Sequence, residues 1–122
     1  MQQLIECVPN FSEGQDPAII RQITEVIEAT DGIRLLNVDP GKATNRTVVT
    51  FVGAPEQVVE AAFQAIRKAA ELIDMSKHKG EHPRMGATDV CPLIPISGIS
   101  MEETAAWAQK LAQRVGDDLK IP

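Results

Sequence analysis

Strand-like and helix-like segments follow one another along this chain in the order β-α-β-β-α-β, and one more helix follows them. The clearest strand is residues 47–52, Thr-Val-Val-Thr-Phe-Val, because β-branched and aromatic side chains favour extended backbone. Apolar residues at helical spacing, from Ile19 to Ile27 and from Val59 to Ile73, indicate two amphipathic helices. The predicted strands are 4–8, 33–38, 47–52 and 89–96, and the predicted helices open at Pro17, Pro55 and Met101.

Residues typical of turns separate these segments. We expect residues 10–14 to form a polar loop, and the Asp-Pro-Gly sequence at 39–41 to turn the chain after the second strand. The Asp-Gly pair at 31–32 should end the first helix, because glycine readily adopts a left-handed cap. The last helix should end near Val115, with Gly116 closing it.

This order of elements is that of a ferredoxin-like fold, in which an antiparallel sheet carries its helices on one face. The prolines of the last strand agree with this topology. Pro92 and Pro95 have no N–H to donate, and the fourth strand of such a sheet lies at an edge. We therefore predict a single α+β domain over residues 1–122, ferredoxin-like, with an extra C-terminal helix.

Composition and charge exclude several classes of protein. With 43% hydrophobic and 24% charged residues, the 122-residue chain has the composition of a soluble globular domain. A net charge of −5 argues against nucleic-acid binding, because domains that bind phosphate backbones are usually basic. No apolar run is long enough to span a membrane and the first residues do not resemble a signal peptide, so we expect a cytoplasmic protein. Cys7 and Cys91 should then be reduced, buried and inert thiols on neighbouring strands.

Both histidines of the chain lie within residues 78–87, whose sequence is His-Lys-Gly-Glu-His-Pro-Arg-Met-Gly-Ala. The two glycines and the proline oppose helix and strand continuation, so we expect residues 75–88 to form a loop at one end of the sheet. Imidazole titrates near neutral pH, and His78 or His82 could therefore act as a general acid or base. The neighbouring cations Lys79 and Arg84 suit a small ligand that carries carboxylates.

Two other interpretations of this stretch remain open from the residues alone. His78, Glu81 and His82 match the H-x-x-E-H pattern of zinc peptidases, but that chemistry needs both histidines on one face of a helix. Gly80 and Pro83 work against a helix and no third ligand is evident, so we predict no metal site. In the other interpretation, the histidines are ordinary loop residues and the glycines only turn the chain.

Three separated motifs resemble the glutamate formimidoyltransferases, also called glutamate formiminotransferases. They are Glu-Cys-Val-Pro-Asn-Phe-Ser-Glu-Gly at 6–14, Asn-Val-Asp-Pro-Gly at 37–41 with the following residues 44–47 and 51–53, and the stretch 78–95. The similarity covers nearly the whole chain and is to the amino-terminal subdomain of those enzymes. It implies an enzyme that transfers a formimino group from N-formiminoglutamate to tetrahydrofolate in the breakdown of histidine.

The resemblance also implies roles for individual residues. His82 matches the catalytic base, which takes a proton from the folate amine and later returns one to the departing glutamate nitrogen. His78 is expected to support the site, and tetrahydrofolate is a co-substrate with no metal required. Asp39 and Arg46 have ordinary alternatives, as a turn residue and as a charge that flanks a strand. The residues predicted to bind substrate are Asn10, Asp39, Asn45, Arg46, His78, Lys79, Arg84 and Gly86.

Members of that family have a second subdomain of related design, and folate binds in the groove between the two. This chain is expected to be the amino-terminal part of such an enzyme, with the second subdomain absent. We predict that it associates with a carboxyl-terminal subdomain or with itself, because helices on one face of a sheet leave its other face to be covered. The alternative is a stand-alone, non-catalytic module that binds folate or a small anion.

Overall fold

A computed structural model of the protein describes residues 2–41, 45–73 and 88–119. These residues form an antiparallel sheet with three helices, which confirms the α+β class predicted from the sequence. The elements are β1 Leu4–Cys7, β2 Asn10–Phe11, α1 Pro17–Glu28, β3 Arg34–Gly41, β4 Arg46–Gly53, α2 Pro55–Leu72, β5 Thr88–Val90, β6 Leu93–Ser97 and α3 Met101–Leu119.

The strands pair in the order β5-β2-β4-β1-β6, and β3 pairs with the other edge of β4. β4 is therefore the centre of the sheet. It lies antiparallel to β1 through the pair Cys7 and Phe51, and antiparallel to β2 through the pair Asn10 and Val48. β5 pairs with β2, and β6 pairs with β1. β5 and β6 therefore lie on the side of β1 and β2 that faces away from β4.

The strand predicted at 89–96 is interrupted at Cys91 and Pro92, and the strand predicted at 4–8 ends one residue early, before Val8 and Pro9. β1 ends at Cys7, and β2 continues along the same edge of β4 from Asn10, where the sequence predicts a loop. That loop prediction is wrong for residues 10 and 11 because β4 and β5 flank them with hydrogen-bonding backbone. At the interruptions, the Val49 amide donates to the Pro9 carbonyl at 3.0 Å and the Val8 amide donates to the Pro92 carbonyl at 3.2 Å.

Two further element boundaries differ from the sequence prediction. Residues 39–41 do not turn the chain but continue β3, in register with Val48, Thr47 and Arg46 of β4. A proline is tolerated there because β3 lies at an edge and its outward side needs no donor. Likewise α3 continues past Gly116 to Leu119, because Leu119 packs against the core one turn after the buried Val115 and keeps the apolar face continuous.

The core lies between the helices and one face of the sheet. Along β4 buried and half-buried residues alternate, and the buried set includes Val49 and Phe51. Four alanines of α2, at 61, 62, 65 and 69, are fully buried and let that helix approach the strands closely. Burying one side chain such as Phe51 stabilises the fold by roughly 1.5–3 kcal/mol.

The opposite face of the sheet, called the open face below, carries the alternate residues of the strands. Val48 and Val52 of β4 are half-buried there, and Ile94 of β6 is 41% exposed. Ile96 and Leu36 are also exposed, at 50% and 49%. Among the helices that the structure describes, none has the length and apolar character needed to cross a membrane.

Candidate functional site

The turn that follows β2 is held by residues at the start of β4. The Gly14 amide donates to Asn45 Oδ1 at 2.8 Å, and the Thr47 hydroxyl donates to the Glu13 carbonyl. Asn45 has φ of 51°, a left-handed conformation that asparagine tolerates better than most residues. A Cβ on Gly14 would lie 2.3 Å from the Gly41 carbonyl oxygen, so only glycine fits where these backbones meet. The turn is therefore built into the end of the sheet.

A row of residues crosses the sheet at the same end. Asn10 of β2 is in register with Val48 of β4, and Val48 is in register with Asp39 of β3. Residues directly opposite each other share a face, so Asn10 and Asp39 both lie on the open face. One strand separates them, which places their backbones roughly 9–10 Å apart. Arg46 lies two residues from Val48 on the same strand and therefore projects from the same face.

The Asn10 side chain is fixed by the interruption between β1 and β2. Its Nδ2 donates to the Val8 carbonyl at 3.2 Å, across Pro9. This bond orients the amide group relative to the strand, so the residue is a positioned hydrogen-bonding group. Together, the amide of Asn10, the carboxylate of Asp39 and the guanidinium of Arg46 form a polar patch that could bind a ligand with both carboxylate and N–H groups.

The strand β5 joins this end of the sheet directly after the histidine-containing stretch of the sequence. Thr88 is the first residue of β5 and is paired with Phe11, while Val90 is paired with Asn10. The Thr88 hydroxyl oxygen is buried and has no hydrogen-bond partner among the residues that the structure describes. The chain that follows the histidines therefore enters the sheet beside Asn10.

A cavity of about 340 Å³ lies behind the same turn. Gly14 and Pro40 line one side of it, and Ile20, Arg21 and Thr24 of α1 line the other. Asn10, Asp39 and Arg46 are not among its lining residues, so it is separate from the polar patch on the open face.

The predicted site residues divide into three groups. Asn10, Asp39 and Arg46 come together on one face at one end of the sheet. Asn45 lies at the same end but is buried, and its side-chain oxygen accepts a hydrogen bond within the turn. The remaining predicted residues lie outside the described part of the chain, namely His78, Lys79, His82, Arg84 and Gly86.

Three residues that the sequence prediction did not single out shape this region, namely Gly14, Thr47 and Thr88. Gly14 is the last residue of the first motif, and its position there was a signal for a close backbone approach. The hydrogen bond from the Thr47 hydroxyl to the Glu13 carbonyl has no signal in the sequence, because the two residues are 34 positions apart.

No three His, Cys, Asp or Glu side chains come together as a metal site within residues 2–41, 45–73 and 88–119. The H-x-x-E-H pattern considered for zinc falls outside these ranges. The described side chains of the polar patch are an amide, a carboxylate and a guanidinium on one face of the sheet.

The fold and site define an α+β domain with a polar patch at one end of an open antiparallel sheet. Residues 4–122 match the formiminotransferase domain, N-terminal subdomain, and the chain belongs to that family. This confirms the resemblance drawn from the three motifs.

Named relatives show the same similarity over the whole chain. The formimidoyltransferase-cyclodeaminase of Mus musculus is 59% identical over 122 residues, which are all of this chain and 23% of that protein. The glutamate formimidoyltransferase of Streptococcus pyogenes serotype M1 is 45% identical over 122 residues, 41% of its length. That of Thermoplasma acidophilum is 46% identical over 119 residues, which are 98% of this chain and 39% of that protein. The chain thus spans less than half of each relative.

Proposed function

We propose that this chain supplies the N-terminal half of the active site of a glutamate formimidoyltransferase. The reaction is transfer of a formimino group from N-formiminoglutamate to tetrahydrofolate, in histidine degradation. The observation that carries the proposal is the meeting of the three family motifs at one end of the sheet. Asn10 of the first motif is flanked by β4, which contains residues of the second, and by β5, which lies in the third. Segments far apart in the sequence thus contribute neighbouring groups.

In the proposed mechanism His82 is the general base. It takes a proton from the folate amine as that nitrogen attacks the formimino carbon, and the imidazolium then gives a proton to the glutamate nitrogen as its bond to that carbon breaks. Imidazole suits both steps because its ordinary pKa lies near neutral pH. Tetrahydrofolate is a co-substrate, and the transfer needs no metal. His78 would support the site, and Gly86 is proposed to contact substrate.

Basic and polar residues of the proposed site would bind and orient the substrates. Arg46, together with Lys79 and Arg84, would pair with carboxylates, of which both substrates carry several. Asp39 would accept hydrogen bonds from ligand N–H groups and repel a misplaced carboxylate. Asn10 can donate or accept hydrogen bonds, because its amide has both donors and an acceptor. For Asn45 we propose an indirect contribution, since its buried oxygen fixes the turn at Gly14.

We also propose that the sheet is ferredoxin-like in its topology. If β1 with β2 and β5 with β6 are each counted as one interrupted strand, the four strands lie in the order 4-1-3-2. The pairing order and the two prolines at the interruptions support this interpretation.

The open face is the proposed contact surface for a second subdomain, or for a second copy of the chain. Ile94 and Ile96 expose apolar surface on this face, at the end of the sheet away from the polar patch, and Leu36 is exposed at the register shift of β3. The share of the relatives that the chain spans supports a carboxyl-terminal partner, and folate would bind between the two. We place the complex in the cytoplasm. Sedimentation should show association with the remainder of the enzyme or with itself, and a strict monomer that binds neither would contradict this.

A binding module without catalysis is the second candidate. The observation in its favour is that the polar patch of Asn10, Asp39 and Arg46 is formed by the described part of this chain alone. It would bind folate or a small anion at the polar patch.

One experiment separates the two candidates. Transferase activity and tetrahydrofolate binding are measured for the chain alone, and for the chain joined to the carboxyl-terminal subdomain of a relative. The enzyme proposal expects turnover in the joined protein. Folate binding without turnover in a folded joined protein would favour the binding module, and neither binding nor turnover would refute both.

A further inference from the structure

The two cysteines of the chain face each other across the sheet. Cys7 Sγ and Cys91 Sγ are 3.5 Å apart, although the residues are separated by 84 positions in the sequence. Cys7 is fully buried in the core at the end of β1. Cys91 is half-buried between β5 and β6, and it packs against the same core. Both thiols are free.

The backbone around this pair is where both strands are interrupted. Cys7 precedes the Val8-Pro9 interruption, and Cys91 belongs to the Cys91-Pro92 interruption. A backbone hydrogen bond from the Val8 amide to the Pro92 carbonyl crosses at this point. The sulfurs would have to approach by about 1.5 Å to reach the length of a disulfide bond. An interrupted pairing can make that movement more easily than a continuous one.

We propose that Cys7 and Cys91 form a redox-reversible disulfide, a clamp between the β1–β2 junction and the β5–β6 junction. The oxidant is a low-molecular-weight disulfide such as oxidised glutathione. The Cys91 thiolate attacks one sulfur of oxidised glutathione, forms a mixed disulfide and releases one glutathione thiolate. The Cys7 thiolate then attacks the Cys91 sulfur and releases the second. The two protein thiols are oxidised, and their protons go to the two glutathione molecules.

The order of these steps follows from exposure and charge. Cys91 is the accessible sulfur, whereas Cys7 is enclosed by the core. The hydrogen bond to Cys91, together with burial, raises the pKa of the Cys7 thiol well above its ordinary value. Cys7 is therefore protonated at neutral pH and a poor first nucleophile. Closure of the disulfide should be the slow step, and its rate should rise about tenfold per pH unit below the pKa of Cys7.

The first test titrates the purified protein with glutathione buffers of increasing oxidation, followed by acid quenching, alkylation and peptide mapping. We expect a Cys7–Cys91 cross-linked peptide lighter by two hydrogen atoms, removed again by reduced glutathione. The melting temperature should rise by about 10 °C on oxidation, because the clamp closes a long loop in the unfolded chain. A wild-type protein that stops at the mixed disulfide, or does not react while folded, would overturn the proposal.

Two variants and one probe complete the test. Cys7→Ala should accumulate a persistent mixed disulfide at Cys91, whereas Cys91→Ser should gain neither glutathione nor a cross-link. If Cys7→Ala does not fold, the wild-type protein is tested with phenylarsine oxide, which binds two neighbouring thiols at once. One equivalent bound, with loss of both free thiols, supports the pair. An arsenical that does not bind to the folded protein refutes it.

Discussion

The two faces of this sheet are built from the same strands but differ in the burial and the chemistry of their side chains. In β4, Thr47, Val49 and Phe51 face the helices and are buried, while the residues between them face away and stay half-buried. The face of the sheet that packs against the helices, called the helix face below, is filled by closely packed aliphatic, aromatic and alanine side chains. On the open face, Asn10, Asp39 and Arg46 gather at one end.

The difference shows how a small domain separates stability from function. Because side chains alternate along a strand, neighbouring residues can take opposite roles without any change in the backbone. The motif residues at 10 and 11 illustrate this, since Phe11 is part of the core and Asn10 belongs to the polar patch. Substitutions on the helix face should therefore change the free energy of unfolding, and those at the proposed site should change catalysis or binding.

The largest expected effect belongs to His82. In the enzyme that contains both subdomains, His82→Asn should lower kcat by about 10²- to 10⁴-fold, because it removes the proposed general base. The affinity for tetrahydrofolate should change little, since one neutral contact is worth only about 1 kcal/mol. Steady-state kinetics and calorimetric binding measure the two quantities.

His78→Asn is the matched control for this variant, because it removes an imidazole from the same stretch. It should reduce turnover less than His82→Asn does. If His82→Asn keeps wild-type turnover while His78→Asn abolishes it, the general base has been assigned to the wrong histidine.

On the helix face, Phe51→Ala should destabilise the protein by about 3–5 kcal/mol, because it leaves a cavity in the core beneath α2. Thr50→Ala is the control, since Thr50 is the next residue on the same strand and lies on the open face. It should cost less than about 1 kcal/mol. Urea unfolding of the two variants tests the contrast, and equal losses would show that the open face is also packed in solution.

Gly14→Ala should destabilise the protein by roughly 1–3 kcal/mol and disturb the polar patch as well. The new Cβ would meet the Gly41 carbonyl oxygen and the Arg46 amide nitrogen at 2.3 and 2.6 Å, so the backbone of the turn must shift. Gln15→Ala is the control for a neighbouring position. Gln15 is exposed, and the hydrogen bond from its backbone N–H to the Glu13 carboxylate does not depend on its side chain. A Gly14→Ala variant with wild-type urea midpoint and affinity would mean that the turn adapts freely.

The fold class follows from the sequence because the spacing of apolar residues indicates which face of each strand or helix is buried. The strand at 47–52 and the helices at α1 and α2 carry clear patterns of that kind, and the structure places them as predicted. Residues 10–11 and 39–41 were assigned to a loop and a turn because asparagine, proline and glycine favour both. They are strand residues because neighbouring strands supply their hydrogen bonds, a tertiary effect that local sequence does not contain.

The candidate site was predictable only as a set of residues. The motifs name Asn10, Asp39 and Arg46, but their common face depends on the register of three strands. Asn45 shows the reverse case, because its polar side chain in a motif suggested ligand binding and the structure gives it a buried hydrogen bond within a turn. Inert thiols were expected from burial and from a reducing compartment, whereas the 3.5 Å contact between the two sulfurs depends on two interrupted strands.

A smaller effect is expected for Arg46 on the open face. Arg46→Gln should raise KM for a substrate carboxylate about tenfold with kcat nearly unchanged, which is the loss of one charge-assisted contact. Arg34→Gln is the control, because Arg34 lies at the far end of β3, in register with Val52 rather than near Asn10. Equal effects of the two variants would indicate a general influence of positive charge on the face, and no polar patch.

The smallest expected effect concerns Glu60, whose contacts lie outside both faces of the sheet, at α2 and α3. Glu60 accepts hydrogen bonds from Gln64 Nε2 at 2.9 Å and from Arg114 Nη1 at 3.1 Å. These contacts, the one from Gln64 first, lower the pKa of Glu60 below its ordinary value of 4.5. The unfolded chain then binds a proton more readily than the folded one, so the stabilisation is complete above about pH 5 and is lost as the pH falls through the folded pKa.

Glu60→Gln should therefore be less stable than the wild type at neutral pH by under about 1 kcal/mol, since the pair is partly exposed. The difference should shrink as the pH falls below the ordinary pKa of 4.5 and through the lower pKa of the folded state, because the wild-type carboxylate then becomes protonated. Gln64→Ala should show part of the same change, as it removes the larger cause of the shift. Unfolding free energies that run parallel for wild type and Glu60→Gln across this range would mean that the carboxylate titrates alike in the folded and unfolded chains. The contacts between α2 and α3 would then contribute packing alone, as the helix face of the sheet does.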